Sequence, residues 1–490
     1  MLKSTTLDIA RIRDTVSGLI EKHHLPGLSV GVVSGDDLIY AEGFGVADIE
    51  SAAPMTPDHR QRIASITKTM VSLCIMALVD EGRLSLDDRV VKVLPDIPFD
   101  GHADSLTLQH LLTHTGGVGE APTLKEIGDP FRLLFSAEQT PKSLVDGYAE
   151  GFTIEVEPGT KWAYANHGFF LLGEIISRIE GEPFPDVARR RIFEPLGMVN
   201  SDVFDRAHPD LSTGYHRVPS EDERELRERA GQTIPDEQSV DGHNIRGKFL
   251  AEWGRGAAGG AQSTIPDMGR YASALLAGGR GIVQPETFEK MVSPHWRPDP
   301  RLSSWGLGFS VGSLFGHRNF GHGGSAFGGW NSHIAVFPDD NLATLIHMNL
   351  VYDYFDDVRT RIVQAVLGAP DETVADRPVD PAVLASARGV YEAPIPGPLT
   401  NFRVFTTYGR IQISTRDGGL ILHSRRGAWK GGVRLVPAGD EHDLFVLDTG
   451  APQLPRVVAI RDRDGRVTGF RFDQTILFAM QRNDDLEPWT

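Results

Sequence analysis

The spacing of apolar residues divides the chain into regions with different secondary structure. Residues 7–20 carry apolar side chains at helical spacing, which predicts an amphipathic first helix that packs on a sheet begun by residues 28–46. Residues 60–290 have mostly helical patterns, residues 303–350 have strand patterns, and residues 352–367 predict a closing helix. The sequence therefore predicts an α/β (α+β) region with strands near both of its ends.

The pattern changes after residue 368. Residues 369–382 are rich in proline and charge, which predicts a linker between a domain at 1–368 and a second one at 383–490. Short alternating segments broken by Asp-Gly turns predict an antiparallel β-barrel or sandwich in the second domain. The predicted strands are 401–408, 410–415, 420–424, 444–448, 457–461 and 467–472.

Composition narrows the possible partners and compartments. The 490 residues carry a formal charge of -17, which argues against a nucleic acid or an anionic membrane surface as partner. No run of about 18 apolar residues could span a membrane. The charged N-terminal residues leave no stretch that resembles a signal peptide, and the single cysteine, Cys74, cannot form an internal disulfide. These features predict a cytoplasmic protein.

Ser65-Ile66-Thr67-Lys68 is the first candidate for chemistry, because it opens a long helical pattern with almost no charge. On a helix, Ser65 and Lys68 lie one turn apart on the same face, so the amine can reach the hydroxyl. Burial disfavours the charged form of a lysine, which suits Lys68 to act as a neutral base. Read alone, the pattern also fits a serine N-cap followed by a surface lysine.

Two further segments could complete an acyl-transfer site. Tyr164-Ala165-Asn166 lies on a loop that leads into an apolar helical pattern, where the phenol can relay a proton and the amide can hold Lys68. The run 321–325, Gly-His-Gly-Gly-Ser, precedes a predicted strand at 330–337. Its glycines would let a substrate approach a strand edge, and a backbone N–H there could complete an oxyanion hole with that of Ser65.

Other patterns have simpler interpretations. Gly27-Leu28-Ser29-Val30-Gly31 resembles a nucleophile elbow, but its surroundings predict a β-hairpin and not a strand followed by a helix. His110 and His114 have zinc-like spacing without the glutamate of a His-Glu-x-x-His motif, so we interpret them as packing or hydrogen-bonding residues. No nucleotide-binding motif is present. The sequence thus predicts no cofactor and no metal.

Together these residues resemble the serine β-lactamase and penicillin-binding-protein superfamily, in particular its class C-like branch with D-aminopeptidases and β-lactamase-like esterases. The resemblance covers roughly residues 10–365 and extends to further segments in the same order. These are Leu84–Asp88, Val93–Pro95, Leu106–Gly117, Ile192–Met198, Gly259–Thr264 and Trp305–Phe309.

The resemblance implies a fold in which an antiparallel sheet flanked by helices faces a helical lobe, with the active site between them. It also implies a lipocalin-like character for the C-terminal barrel and, since barrel-bearing relatives often assemble, a homo-oligomer. The family's roles fall on Ser65 as nucleophile, Lys68 and Tyr164 as base and proton relay, Asn166 as positioning amide, His322 and Gly324 in the third motif, and Ser325 as second oxyanion donor.

One departure from the family bears on the substrate. β-Lactamases and DD-peptidases usually carry a lysine where this chain has His322, and a histidine is mostly neutral near pH 7, so it would hold a carboxylate less well. The resemblance then favours a D-aminopeptidase-like hydrolase that cleaves amide bonds of short peptides or amino-acid amides. A carboxylesterase is the alternative. A β-lactamase or DD-peptidase, and a non-catalytic penicillin-binding-like sensor, are less favoured.

Overall fold

The computed structural model describes most of the chain. The described residues are 7–118, 134–136, 151–203, 207–219, 239–252, 256–326, 328–351, 355–375, 377–392, 410–424, 429–439, 441–473 and 477–488. The predicted strand at 401–408 lies outside these residues, as does the stretch of sequence at 220–238.

The described helices lie mostly in the first three quarters of the chain. They are α1 (Ile9–His23), α2 (Thr67–Asp80), α3 (Val90–Val93), α4 (Leu108–Leu112), α5 (Asn166–Glu180), α6 (Phe184–Ala188), α7 (Ile265–Leu276), α8 (Pro285–Met291), α9 (Phe355–Leu367) and α10 (Pro381–Ala387).

The described strands that precede α10 in the chain are labelled β1 to β18. They are β1 (Gly27–Ser34), β2 (Asp37–Asp48), β3 (Ala53–Pro54), β4 (Gln61–Arg62), β5 (Phe99–Gly101), β6 (Leu134–Ser136), β7 (Phe152–Ile154), β8 (Asp202–Val203), β9 (Tyr215–Arg217), β10 (Asn244–Arg246), β11 (Leu250–Glu252), β12 (Ala261–Ser263), β13 (Ser304–Trp305), β14 (Ser310–Leu314), β15 (His317–Ala326), β16 (Trp330–Phe337), β17 (Leu342–Met348) and β18 (Leu350–Val351).

The main sheet joins both ends of this region. Its eight strands are antiparallel and follow the order β13-β14-β15-β16-β17-β1-β2-β3. The early hairpin meets the late strands where β1 pairs with β17, with Leu28 opposite Met348 and Ser34 opposite Leu342. Strand β1 is buried along almost its whole length, because helices cover both faces of the sheet.

Helices α1 and α9 cover one face of the sheet. Their apolar stripes form a common core with β1 and β17 that includes Ile12, Val16, Val30, Ile346 and Ile362. This arrangement confirms the predicted packing of the first helix, and the predicted closing helix is described from Phe355 onward. On the other face, α7 lies against the sheet and joins the core of the helical lobe.

Helix α2 runs through the centre of the helical lobe. Every residue from Thr67 to Leu78 is buried, which explains why its sequence is apolar on almost every side. It packs against α5 and α6, and its last turn ends before Gly82, which has a φ of +70°. A helix so enclosed gives a rigid platform to the residues at its N-terminal end.

Eight strands near the C-terminus form a closed antiparallel barrel. They are β19 (Gly389–Glu392), β20 (Ile411–Arg416), β21 (Gly419–Ser424), β22 (Val433–Pro437), β23 (Leu444–Leu447), β24 (Arg456–Arg461), β25 (Val467–Asp473) and β26 (Leu477–Arg482). The pairing of Tyr391 with Arg482 closes the barrel between its first and last strands. Its core has Tyr391, Phe445 and Phe470 among its largest side chains.

The predicted fold is confirmed: a β-lactamase-like sheet with flanking helices and a helical lobe, followed by an antiparallel barrel. The barrel includes β19, β22 and β26, which the sequence pattern did not predict. Helix α10 begins at Pro381, inside the predicted linker, with Asp380 as its N-cap. The domain boundaries at 368 and 383 stay predictions. No described helix is both long enough and apolar enough to cross a membrane.

Candidate active site

Ser65 lies in a tight turn directly before α2. The turn, Ala64–Ile66, is a short 3-10 segment, and Ala64 has a φ of +48°, a left-handed conformation that costs an alanine energy. Two hydroxyls hold this backbone: Ser332 Oγ donates to the Ile63 carbonyl at 2.7 Å, and Thr67 Oγ1 donates to the Ala64 carbonyl at 2.7 Å. Ser65 itself stays half-buried at the N-terminal end of the helix.

Lys68 is fully buried one turn further along. Its Nζ lies 3.1 Å from Ser65 Oγ, 2.8 Å from Asn166 Oδ1 and 2.6 Å from the backbone carbonyl of Ala258. All three of these atoms are neutral oxygens. The amine is thus fixed beside the serine hydroxyl by contacts from α5 and from the glycine-rich segment before β12.

Tyr164 is also buried, with 5% of its surface exposed, and its ring lies under the amine of Lys68. The distance from Lys68 Nζ to the ring centroid is 5.0 Å. Helix α5 begins at Asn166, so the predicted position of Tyr164 and Asn166 on a segment leading into a helix is confirmed. The structure therefore brings Ser65, Lys68, Tyr164 and Asn166 together.

His114 fixes the backbone that carries Tyr164. Its Nδ1 accepts a hydrogen bond from the Ala165 N–H at 3.1 Å, and its carbonyl accepts one from the Ala163 N–H at 2.9 Å. The imidazole lies against the Tyr164 ring, with 4.2 Å between the centroids. Burial is the main cause that holds the pKa of His114 well below its usual range, and any positive charge on Lys68 would lower it further, so its ring is neutral.

Trp305 connects the site residues on the side of the sheet. Its ring centroid lies 5.1 Å from that of His114, 6.1 Å from that of Tyr164 and 5.5 Å from that of His322. The contacts are edge-to-face, an arrangement that aromatic pairs favour. Trp162 completes this aromatic cluster at 5.4 Å from Trp305.

His322 is buried on β15 in a neutral form. Its Nδ1 lies 2.5 Å from the Gly323 carbonyl, and since a carbonyl only accepts, Nδ1 carries the hydrogen. Its Nε2 is then an acceptor, and it has no hydrogen-bond partner among the described residues. Burial, reinforced by Lys68, lowers the pKa of His322 to about 3.

The following residues form a strand edge beside the serine. The pairing of β15 with β14 ends at Gly321, while the pairing with β16 continues to Ala326. Gly324 packs on the turn before α2 so closely that a Cβ there would lie 2.3 Å from the Ile63 carbonyl oxygen. Ser325, the next residue, is exposed. In the described part of the chain the β14 ladder does not continue past Gly321, so the edge of β15 beside the Ser65 turn has backbone groups outside that ladder.

Sequence reasoning missed three contributors to this site. The sequence predicts only a packing or hydrogen-bonding role for His114, which the structure confirms and places against Tyr164. Trp305 stands out in the sequence only within a matching segment, and the Ala258 carbonyl carries no residue-type signal at all. His110 caps α4 by bonding with Thr107, as its structural interpretation predicted.

The alternative motifs do not form sites among the described residues. Ser29 is buried in β1, and its Oγ donates to the Thr56 carbonyl at 3.1 Å, which confirms the hairpin interpretation. No group of three or more His, Cys, Asp or Glu side chains in the described part of the chain could hold a metal ion.

Several proteins are similar to this chain in sequence. "Penicillin-binding protein 4*" of Bacillus subtilis is 30% identical over 192 residues, which is 38% of this chain and 40% of that protein. "D-aminopeptidase" of Gluconobacter oxydans is 26% identical over 373 residues, 74% of this chain and 63% of that protein. "Esterase EstB" of Burkholderia gladioli is 28% identical over 286 residues, 56% of this chain and 66% of that protein. The chain thus spans between 40% and 66% of the length of these curated relatives.

Solved structures share the fold. The octameric penicillin-binding protein homologue from Pyrococcus abyssi aligns over 97% of this chain and all of its own, with a TM-score of 0.60 and 21% identity. D-amino acid amidase from Ochrobactrum anthropi aligns over 73% of this chain and 99% of its own, with a TM-score of 0.57 and 23% identity. The family model described as Beta-lactamase matches residues 12–368. With that match over most of its length, the chain belongs to the Beta-lactamase family of serine hydrolases.

Proposed function

We propose that the protein hydrolyses amide bonds through an acyl-enzyme on Ser65. The observation that carries this proposal is the position of Lys68, whose Nζ lies 3.1 Å from Ser65 Oγ in a buried setting. A side chain that removes a proton must lie within hydrogen-bond reach of it, and Lys68 does. The reaction class then follows from the nucleophile and base, and the substrate from the groups around them.

The contacts of Lys68 fit a neutral amine that acts as base. A neutral lysine has two N–H donors and one lone pair. The carbonyl of Ala258 and Oδ1 of Asn166 can only accept, so each takes one N–H. The lone pair then faces the Ser65 hydroxyl, from which it can remove the proton. Burial favours this neutral form, because a charged ammonium loses hydration there.

The catalytic cycle also needs an oxyanion hole and a group that passes the proton to the leaving nitrogen. As Ser65 Oγ bonds to the substrate carbonyl carbon, its proton passes to Lys68, and the carbonyl oxygen becomes negative. The N–H groups of Ser65 and Ser325 are proposed to hold this oxyanion. Tyr164, whose ring lies under Lys68, is proposed to pass the proton to the leaving nitrogen as the C–N bond breaks. Water then attacks the ester and releases the acid and Ser65.

The third motif supports a substrate without a carboxylate near His322. The imidazole is neutral, with its Nδ1 hydrogen on Gly323, so it offers a lone pair on Nε2 and no positive charge. A lone pair accepts from an amine or amide N–H and repels a carboxylate. A short peptide or amino-acid amide with a free amine therefore fits best. The similarity to a D-aminopeptidase supports the same substrate class and a D preference.

A carboxylesterase is the second candidate. It would use the same residues, because an ester needs less help with its leaving group than an amide. The specific observation in its favour is the 28% identity to an esterase over 286 residues. The two candidates differ in whether a substrate amine is recognised.

The test compares kcat/KM for a D-alanyl anilide, which has a free amine, with that for a short-chain aryl ester. Ser65→Ala protein serves as the blank for both. Preference for the D-alanyl anilide over its L enantiomer and over the N-acetylated anilide supports the proposal. Ester turnover without anilide cleavage supports the esterase. A Ser65→Ala variant that keeps most of the activity contradicts both.

A further inference from the structure

The barrel touches the segment that carries Trp305. Asp473 lies at the end of β25, and its Oδ2 accepts two hydrogen bonds from Ser303, one from the backbone N–H at 3.0 Å and one from Oγ at 3.1 Å. Ser303 is two residues before Trp305. A carboxylate that accepts two bonds from one residue fixes both its backbone and its side chain.

A second contact between the barrel and this segment lies at Arg301. Its guanidinium binds Asp443 of the barrel through two bonds, of 2.8 and 3.1 Å, and also contacts Glu441. Asp299, on the same segment, holds the guanidinium from the other side at 2.8 Å. The barrel therefore forms hydrogen bonds with this segment at two nearby residues, Arg301 and Ser303.

The other end of this segment, at Gly308, packs on α2, the helix that carries Lys68. The Gly308 N–H donates to the Leu112 carbonyl at 3.0 Å. Gly308 has a φ of +83°, and a Cβ there would lie 1.9 Å from Ser72 Oγ. That hydroxyl donates to the Lys68 carbonyl at 2.9 Å. Residues 303–308 thus run from a barrel carboxylate at one end to the helix of Lys68 at the other.

Trp305 lies in the middle of this segment, and its ring contacts those of His114, Tyr164 and His322. It is held by backbone hydrogen bonds with Trp296 in both directions, at 2.9 and 3.0 Å. Its indole edge contacts Tyr164 and His322, so a shift of the Trp305 backbone would move both rings. Closely packed aromatic groups transmit small displacements, because no free volume absorbs them.

We propose that Asp473 of the barrel is a positioning residue for the active site: through Ser303 it sets Trp305, and Trp305 sets Tyr164 and His322. This inference rests on the proposed acyl-enzyme chemistry. According to this inference, the barrel affects the rate of the reaction at Ser65. A displacement of about 1 Å at a reacting group can cost on the order of a hundredfold in rate, so two hydrogen bonds on the barrel can matter at Ser65.

The experiment measures hydrolysis of the D-alanyl anilide by the full chain, because the proposed role of Tyr164 is to protonate the leaving nitrogen of this substrate. The maximal rate constant reports the chemistry, and the half-saturating concentration reports binding of the anilide. In Asp473→Leu, which removes both acceptor bonds, we expect the maximal rate to fall about tenfold with little change in half-saturation. Asp473→Asn keeps an amide oxygen that can accept both bonds, and it should restore the rate to within about twofold.

Gln453→Met is the matched control. Gln453 also joins the barrel to the sheet, since its Oε1 accepts from the Phe315 N–H at 2.9 Å, but at the β14–β15 turn and not beside Trp305. It should leave the rate unchanged. An Asp473→Leu rate equal to that of the wild type, or a fall of the same size in Gln453→Met, overturns the inference.

If thermal unfolding shows that Asp473→Leu does not fold, Ser303→Ala tests the inference instead. It removes only the 3.1 Å bond, and we expect the maximal rate to fall about threefold or more. An unchanged rate in folded Ser303→Ala overturns the inference. Failure of the wild type to hydrolyse the anilide at all would instead overturn the proposed function, and the inference with it.

Discussion

Buried histidines should make the protein less stable as the pH falls from 7 to 5. Burial lowers the pKa of four of them, His114, His322, His333 and His347, and that of His322 and His347 to about 3. Below pH 6.5 the unfolded chain binds protons on all four residues, whereas folded His322 and His347 stay neutral until about pH 3. Stability therefore rises with pH between about 3 and 6.5 and is lost as the pH falls through that range.

The size of the effect follows from the shift. A histidine with an unfolded pKa of about 6.5 and a folded pKa near 3 loses about 1.4 kcal/mol per pH unit, or about 2 kcal/mol by pH 5. His322 and His347 together then cost about 4 kcal/mol, a large part of a typical stability of about 5–15 kcal/mol. Carboxylates with a lowered pKa, such as Glu180 at about 2, contribute mainly below pH 4.5. The interval from pH 7 to 5 thus avoids these carboxylates, and Asp473, whose pKa is raised by burial, acts in the direction opposite to the histidines.

His347→Leu gives the sharpest test, because neither ring nitrogen of His347 has a hydrogen-bond partner among the described residues. The variant should reduce the difference in unfolding free energy between pH 7 and pH 5 by about 2 kcal/mol. Urea unfolding followed by helical circular dichroism reports on the right region, since all described helices except α10 lie within residues 9–367. His442→Leu, at a site 73% exposed, should leave the difference unchanged. Equal pH dependence in His347→Leu and wild type would refute the reasoning.

Three further predictions concern the helix of Lys68 and its surroundings. Lys68→Met should fold and yet lose at least about a thousandfold in kcat for an aryl ester, measured against the Ser65→Ala blank, because the base is gone. A loss of less than about tenfold would mean that another group takes the proton. Gly324→Ala should lower the unfolding free energy by about 1–3 kcal/mol and slow phosphonylation of Ser65 by a small ethyl fluorophosphonate, because its Cβ would lie 2.3 Å from the Ile63 carbonyl. If Gly324→Ala had the same unfolding free energy and the same phosphonylation rate as the wild type, the close packing of Gly324 would be contradicted. Cys74 should stay unreactive to a thiol reagent in the folded protein and react fully in urea, since burial raises its pKa to about 12. Rapid labelling without denaturant would show that α2 opens locally.

Residue type and spacing were enough to place the central part of the site. Ser65 and Lys68 are one helical turn apart, so their proximity follows from local geometry once the helix is recognised. The apolar sequence of α2 likewise predicts that the lysine is buried. Tyr164 and Asn166 are about a hundred residues away, and their position next to Lys68 was implied by resemblance and not by any local rule.

The remaining contacts could not be predicted because they depend on backbone groups and on packing between distant segments. The Ala258 carbonyl that accepts from Lys68 belongs to a residue with no functional side chain. Trp305 acquires its place only when the residues after β13 pack on α2 and α4, where Gly308 lies against Ser72 and donates to the Leu112 carbonyl. Strand β22 is short and only partly buried, so its alternation is weak in the sequence, although the closed barrel requires it.

The same burial accounts for both the chemistry and the acid sensitivity of the fold. Lys68 can serve as a base because its buried surroundings disfavour the charged ammonium form. His114 and His322, which lie around Tyr164, are neutral for that reason, and Lys68 itself contributes to the lowering of their pKa. Protonating either ring would place a cation beside the amine that must accept the Ser65 proton. Because the folded protein resists this protonation, a fall in pH should destabilise the fold before it charges either ring in place.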